Sequence, residues 1–221
     1  MTNTNLPAPS LDEIQAKQQE TLQHANNVLQ VIQMQHGQFF DQLPIRMNSI
    51  VTQNASVRTK RNHIRILAME INEKVSPQTA CRNKCNHCCH IPVLLSSHEA
   101  QAISEKTGIK LNANPDISFT PQEHFRENKV EKYLESRPQV GPCTFLSEDG
   151  ACSIYEHRPL MCITHHSLDK TDYFCRLDLL DPELTSVPSI NTHFIHAHYA
   201  GLDLNFKIAD IRQFFPVTPN L

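Results

Sequence analysis

Apolar side chains recur at steps of three and four from Leu11 onward, at Leu11, Ile14, Leu22, Ala25, Leu29 and Ile32, with Gln18 as the break. That period predicts a helix with one apolar face, ending near Gly37, whose opposite face is rich in Gln and Asn. A second stripe, Ile50, Val57, Ile64, Leu67, Ile71 and Val75, stops before Pro77. Two such stripes predict a helical hairpin over residues 1–76, behind a frayed polar tail at residues 1–10.

Past that point the pattern shortens. Ser96-Ser97-His98-Glu99 and Thr120-Pro121-Gln122-Glu123 each fit a capping box. The first opens a helix through Ala100 and Ile103 to Gly108, and the second one with Phe125, Val130 and Leu134 facing inward. Two short apolar runs in CTFLSEDGACSIY flank a Glu148-Asp149-Gly150 turn and predict a small β-hairpin. Pro159 in HRPLMC starts a helical turn, and Ser189 to Phe215 is mostly helical in pattern, with Gly201 and the Leu202-Asp203-Leu204 alternation interrupting it. The expected fold is mainly α: the N-terminal hairpin, then a metal-stapled cysteine-cluster domain over 77–221 with a small β-hairpin and C-terminal helices.

Composition narrows the function. A formal net charge of -3 over 221 residues gives no basic field for nucleic acid or anionic lipid, so neither is an expected partner. The basic run Arg58, Lys60, Arg61, His63 and Arg65 lacks interleaved aromatics and reads as a solvated helix face. No G-x-G-x-x-G or Walker sequence is present, and no apolar run is long enough to cross a bilayer. The chain is expected to be cytoplasmic, with the N-terminal helices as the surface for a partner protein or a second copy of the chain.

In a reducing compartment, eight cysteines point to metal ligation rather than disulfides. Four of them, Cys81, Cys85, Cys88 and Cys89, fall within the ten residues CRNKCNHCCH. On a helix, Cys81, Cys85 and Cys88 would share a face about 60° wide; in a loop, Cys85-x2-Cys88 would make a chelating turn. The other four are Cys143, Cys152, Cys162 and Cys175, of which Cys175 is the least patterned. Four plus four allows one four-cysteine site with spare thiols or two closed sites. Thiolates suit zinc, Cu(I) and iron–sulfur clusters and exclude Mg and Ca. His87, His90, His165 and His166 neighbour the thiols and are weaker candidates.

The joint pattern C-x3-C-x2-C-C, then C-T-F-L, then G-A-C-S-I-Y-E-H-R-P-L-M-C resembles the bacterial YkgJ-type cysteine-cluster family, the CxxCxxCC domain associated with zinc or iron chelation. The resemblance covers residues 78–165 and assigns the family positions to Cys81, Cys85, Cys88, Cys89, Cys143, Cys152 and Cys162, accompanied by Phe145, Tyr155, Arg158 and Pro159. Thr144 stands where the family commonly has Pro, and Ile163 where Arg commonly follows the last cysteine. The implied cofactor is an iron–sulfur cluster, [4Fe-4S] by preference, or Zn. Tyr155 and Arg158 are candidate cofactor-binding residues, one able to donate to sulfur and the other to balance cluster charge. The expected role is electron transfer, sensing or support of an enzyme. A zinc-stapled interaction module is one alternative; a second is a cluster-dependent methylase, since flagellin lysine N-methylases carry the same cysteine motif. The C-x3-C-x2-C spacing also matches radical S-adenosylmethionine enzymes, but the strand and helix units of their barrel are missing.

Overall fold

A computed structural model describes residues 9–82, 84–127, 133, 140–176 and 187–216. Helix α1 runs from Leu11 to Asp41 and opens on a capping box: Ser10 Oγ accepts the Glu13 amide, and the Glu13 carboxylate accepts the Ser10 amide at 2.7 Å. The helix passes through Gly37 instead of ending there. A glycine inside a helix costs only about 1 kcal/mol relative to alanine, and Phe39 and Phe40 beyond it pack on the core. Gln42 ends α1 and begins α2 (Leu43–Thr52), which carries Pro44 in its first turn. Helix α3 (Val57–Val75) returns from the Ser56 cap, and Pro77 follows in a 3-10 turn.

The buried stripe of α1 is Thr21, Ala25, Val28 and Ile32, rotated from the predicted one: Leu11, Leu22 and Leu29 are 57%, 47% and 41% exposed. A polar contact helps set this rotation. Thr21 Oγ1 donates to the buried Asp169 carboxylate at 2.9 Å, so a threonine faces inward where apolar spacing alone marks Leu22.

The capping boxes at Ser96 and Thr120 both form, opening α4 (Ser97–Thr107) and α5 (Pro121–Glu127). Val130 and Leu134 and the side chain of Phe125 lie outside the described residues, as does most of the N-terminal tail. The Glu148-Asp149-Gly150 turn is present in miniature, closed by a single bridge between Leu146 and Cys152, with Gly150 at φ 83°. Helix α6 (Leu160–Thr164) follows Pro159. The C-terminal stretch is helical only in α7 (His193–Gly201) and α8 (Ile211–Phe214). Between them Ile208–Asp210 forms strand β2, antiparallel to β1 (Leu94–Ser96), with Leu95 opposite Ala209, a pairing the pattern did not predict. Ile208 also exchanges both backbone hydrogen bonds with Phe119, which holds the segment extended.

Two apolar clusters flank the cysteine region. One joins α1, α2 and α3 to Leu160, Ile163, Leu168, Ile195 and Tyr199, so the N-terminal helices share a core with residues far beyond position 76. The other gathers Val93, Leu95, Phe145, Ile154, Phe214 and Phe215, with Cys143, Cys152 and Cys162 packed against it. Ile163, where the family commonly has Arg, is 2% exposed in the first cluster. No helix among the described residues is long and apolar enough to cross a membrane.

Candidate metal centre

The cysteine-dense segment folds as a loop, which settles the choice between helix and turn left by its spacing. The Cys85 amide donates to the Arg82 carbonyl, Lys84 takes a left-handed φ of 68°, and His87–His90 form a 3-10 turn closed by the Cys89 amide on Asn86. Three sets of contacts fasten this loop to the later cysteines. The Cys143 amide donates to the Cys89 carbonyl at 2.7 Å. Lys84 pairs with Asp149 in the 148–150 turn at 2.9 Å. Arg212, on α8, donates to the carbonyls of Cys89 (2.9 Å), Gly141 (2.8 Å) and Pro142 (3.1 Å) while pairing with the buried Asp210 carboxylate.

Cysteines about 60 residues apart in sequence therefore become neighbours. Cys81, Cys85 and Cys175 form one neighbourhood with Cys88 at its edge: Cys81 and Cys88 oppose ionisation of Cys85, and all three oppose that of Cys175. Cys88 also borders Cys152 and Cys162, and Cys162 borders Cys143, which makes a second neighbourhood. Cys88 joins the two and is hydrogen-bonded to Cys89. Cys175, unpatterned in sequence, is thus drawn in beside Cys81 by a 3-10 turn at Tyr173–Cys175. All eight cysteines are free thiols and each is partly buried.

Burial raises the thiols of Cys85, Cys143, Cys152 and Cys162, and takes Cys175 to about 11; for Cys88 the hydrogen bond with Cys89 comes first and burial second. Empty of metal, such thiols stay protonated at neutral pH. Opposing this, backbone amides are aimed at sulfur. Cys85 accepts from the His87 amide, Cys143 from Phe145 and Cys152 from Ile154, each two residues downstream. Cys81 Sγ accepts the Ser167 amide at 3.3 Å. Arg158 favours the thiolates of Cys88, Cys152 and Cys162, and Arg212 that of Cys143. Amides and guanidinium groups directed at sulfur stabilise thiolate, the ligating form, so the donor set fits a thiolate-bound metal. Among the described residues, which include all eight cysteines, no three His, Cys, Asp or Glu side chains are already gathered as a site for a single ion.

The histidines have other partners. His87 pairs with Asp172 at 2.9 Å, His90 contacts the Asn86 carbonyl, and the buried His166 contacts Asn72. Arg158 lies over the Tyr155 ring at 4.1 Å and donates to Asn72, while the Tyr155 side of that stack is open to solvent. Sequence reasoning passed over Arg212 and Ser167, which act through loop carbonyls and a backbone amide. An Asp-x-Arg pair at Asp210 and Arg212 is the only trace of the clamp in the sequence.

Residues 80–177 match the CxxCxxCC family model, described as "Putative zinc- or iron-chelating domain". The match supports the resemblance carried by the cysteine motifs and extends it past residue 165 to include Cys175. No curated protein and no solved structure matches the chain.

Proposed function

We propose that this chain is a cytoplasmic metal-binding protein whose cysteine thiolates hold an iron–sulfur cluster, [4Fe-4S] by preference, in support of electron transfer or of a partner enzyme. The observation that carries the reading is the set of backbone amides directed at Cys81, Cys85, Cys143 and Cys152. Hydrogen bonds to sulfur stabilise thiolate ligands and set the potential of a cluster. A free structural cysteine has no need of them.

The surplus of thiols favours a cluster over a lone ion: a zinc site closes with four ligands, and the chain carries eight cysteines, four of them within ten residues. A tetrahedral zinc at about 2.3 Å from each sulfur requires its ligands within about 4 Å of one another. Cluster ligands each bind a different iron and stand farther apart. When bound, such a group would supply one-electron redox chemistry. Cys88, Cys152 and Cys162, on which Arg158 acts, are the ligands assigned to it, with Cys143 or Cys89 as the fourth. Cys81, Cys85 and Cys175 are then left for a second site, which zinc could close with His87 as its fourth ligand.

Eight unpaired cysteines in one chain support a reducing compartment. The test is anaerobic purification followed by iron, zinc and sulfide analysis with a visible spectrum. Iron with matching sulfide and broad visible absorption bleached by dithionite is the expected result. A colourless protein with zinc alone would replace the cluster with a structural role, and a protein with neither metal would overturn the reading.

A further inference from the structure

The basic run that sequence reading left as a solvated face is not fully solvated. Arg58, Arg61 and Arg65 lie within about 60° of one another around α3 and line a cleft of about 740 Å³ closed on its far side by α4. Arg61 is 8% exposed. A guanidinium so deeply placed requires a counter-charge, because an unpaired buried ion is costly. Its partners are weak ones: the Asp203 carbonyl at 3.2 Å, the Asp203 carboxylate at 4.0 Å and the Tyr199 ring at 5.5 Å. The Arg61 Nε and the His98 Nε2 have no hydrogen-bond partner among the described residues. Arg65 donates to the neutral carbonyls of Arg158 and Glu156.

Acidic groups in the cleft offset these charges only in part, Glu99 acting on Arg65. Glu105 is paired with Arg58 at the mouth. The Glu99 carboxyl is occupied by the Leu160 amide and the Ser96 cap, and burial raises its pKa. Glu156 stands at the rim. The cleft is also larger than a lone oxyanion needs, and Met69, Ile103 and Leu160 give it apolar walls.

We propose that this cleft binds a small organic phosphate, its oxyanion between Arg61 and Arg65 and its apolar body against Met69, Ile103 and Leu160. Guanidinium groups are suited to a phosphate because each can present two donors to adjacent oxygens. A phosphate there replaces the weak partners of Arg61 with charge-assisted hydrogen bonds. No cysteine lines the cleft, although Glu156, His157, Pro159 and Leu160, between Cys152 and Cys162, form part of its wall.

The experiment is calorimetric titration of the purified, metal-loaded protein with phenyl phosphate, and in parallel with inorganic phosphate and benzoate. Phenyl phosphate is expected to bind most tightly, with affinity falling as salt is added. Arg61→Gln should weaken it at least about tenfold. Gln101→Glu places a negative charge on an exposed residue of the rim, giving up only an exposed hydrogen bond to Glu105, and should weaken it several-fold while the protein still folds, so it decides the matter if the Arg61 variant does not fold. No saturable binding of phenyl phosphate, binding that both variants leave unchanged, or benzoate binding as tightly as phenyl phosphate would each overturn the assignment.

Discussion

Replacing Arg212 with methionine keeps most of the side-chain stem but removes the guanidinium that joins α8 to the cysteine loops. Three loop carbonyls, of Cys89, Gly141 and Pro142, lose a donor at 2.8–3.1 Å, and Asp210, 1% exposed, loses its cation at 3.0 Å. Breaking one side of a buried pair costs about 3–5 kcal/mol. The Asp210 carboxylate keeps the amides of Val93 and Arg212, and water can reach the outer carbonyls, so the lower end applies: about 3 kcal/mol. With a urea m-value of about 2 kcal/mol/M for a chain of this size, the midpoint should fall by about 1.5 M at unchanged m. Arg212→Lys keeps the charge but not the fork of donors, and should fall between. Because Asp210 and Arg212 are directly paired, Asp210→Asn combined with Arg212→Met should cost less than the sum of the two single changes. A loss below about 1 kcal/mol, or strict additivity in that cycle, would refute the clamp.

Three further outcomes follow from the same geometry. Cys88→Ser should lower both metal content and thermal stability, since Cys88 borders both thiol neighbourhoods; measured metal content and Tm that both match the unaltered protein would remove Cys88 from the ligand set. Gly150→Ala forces a side chain onto φ 83° and brings a Cβ to 3.2 Å from Asn86 Nδ2, so chemical denaturation should show a loss of about 1–2 kcal/mol, and an unchanged midpoint would mean the turn relaxes freely. His166 is buried and its pKa is lowered to about 4, by burial first and then by His165. Below its ordinary pKa of 6.5 the unfolded chain takes up a proton that the folded chain refuses, so stability present above pH 6.5 is lost as pH falls toward 4, by about 2–3 kcal/mol. His166→Gln should flatten that part of the curve of unfolding midpoint against pH, and parallel curves would assign the loss to other groups.

What the chain disclosed in advance depended on whether a feature is local. The capping boxes at Ser96 and Thr120, the Glu148-Asp149-Gly150 turn and the stripe from Ile64 to Val75 are each fixed by neighbours within four residues, and each forms; the earlier part of that stripe does not, since Ile50 falls on α2 and Val57 is exposed. The face of α1 is set by Thr21 reaching Asp169, 148 residues away, and apolar spacing could not register a hydroxyl turned inward. Strand β2 has the same cause. Its three residues carry no alternation that three positions could establish, and they are held extended by Ser96 on one side and Phe119 on the other.

The metal region divides along the same line. Thiols are recognisable from residue type and spacing, so the family pattern assigned seven of them. Cys175 is a candidate by residue type but lies outside that pattern, because its place depends on how the chain after Ser167 folds back: the Ala80 amide donates to the Ser167 carbonyl and the Ser167 amide to Cys81 Sγ, which ties the start of one cysteine segment to the lead-in of another. The groups that favour thiolate over thiol are mostly backbone amides, which every residue carries and no sequence pattern marks. The same holds for Arg212, whose acceptors are carbonyls. A chelating pattern therefore shows which atoms can bind metal, whereas the bias toward binding it comes from backbone placed by the two apolar clusters on either side. If that is the source of the bias, loosening the second cluster at Phe214, 0% exposed and far in sequence from every cysteine, should lower metal retention along with stability. Phe214→Ala costs about 3–5 kcal/mol in a close-packed core. Metal release to a chelator, measured below the unfolding midpoint, should be faster in this variant; release at the rate of the unaltered protein would mean the cysteine loops hold their geometry without the core beneath them.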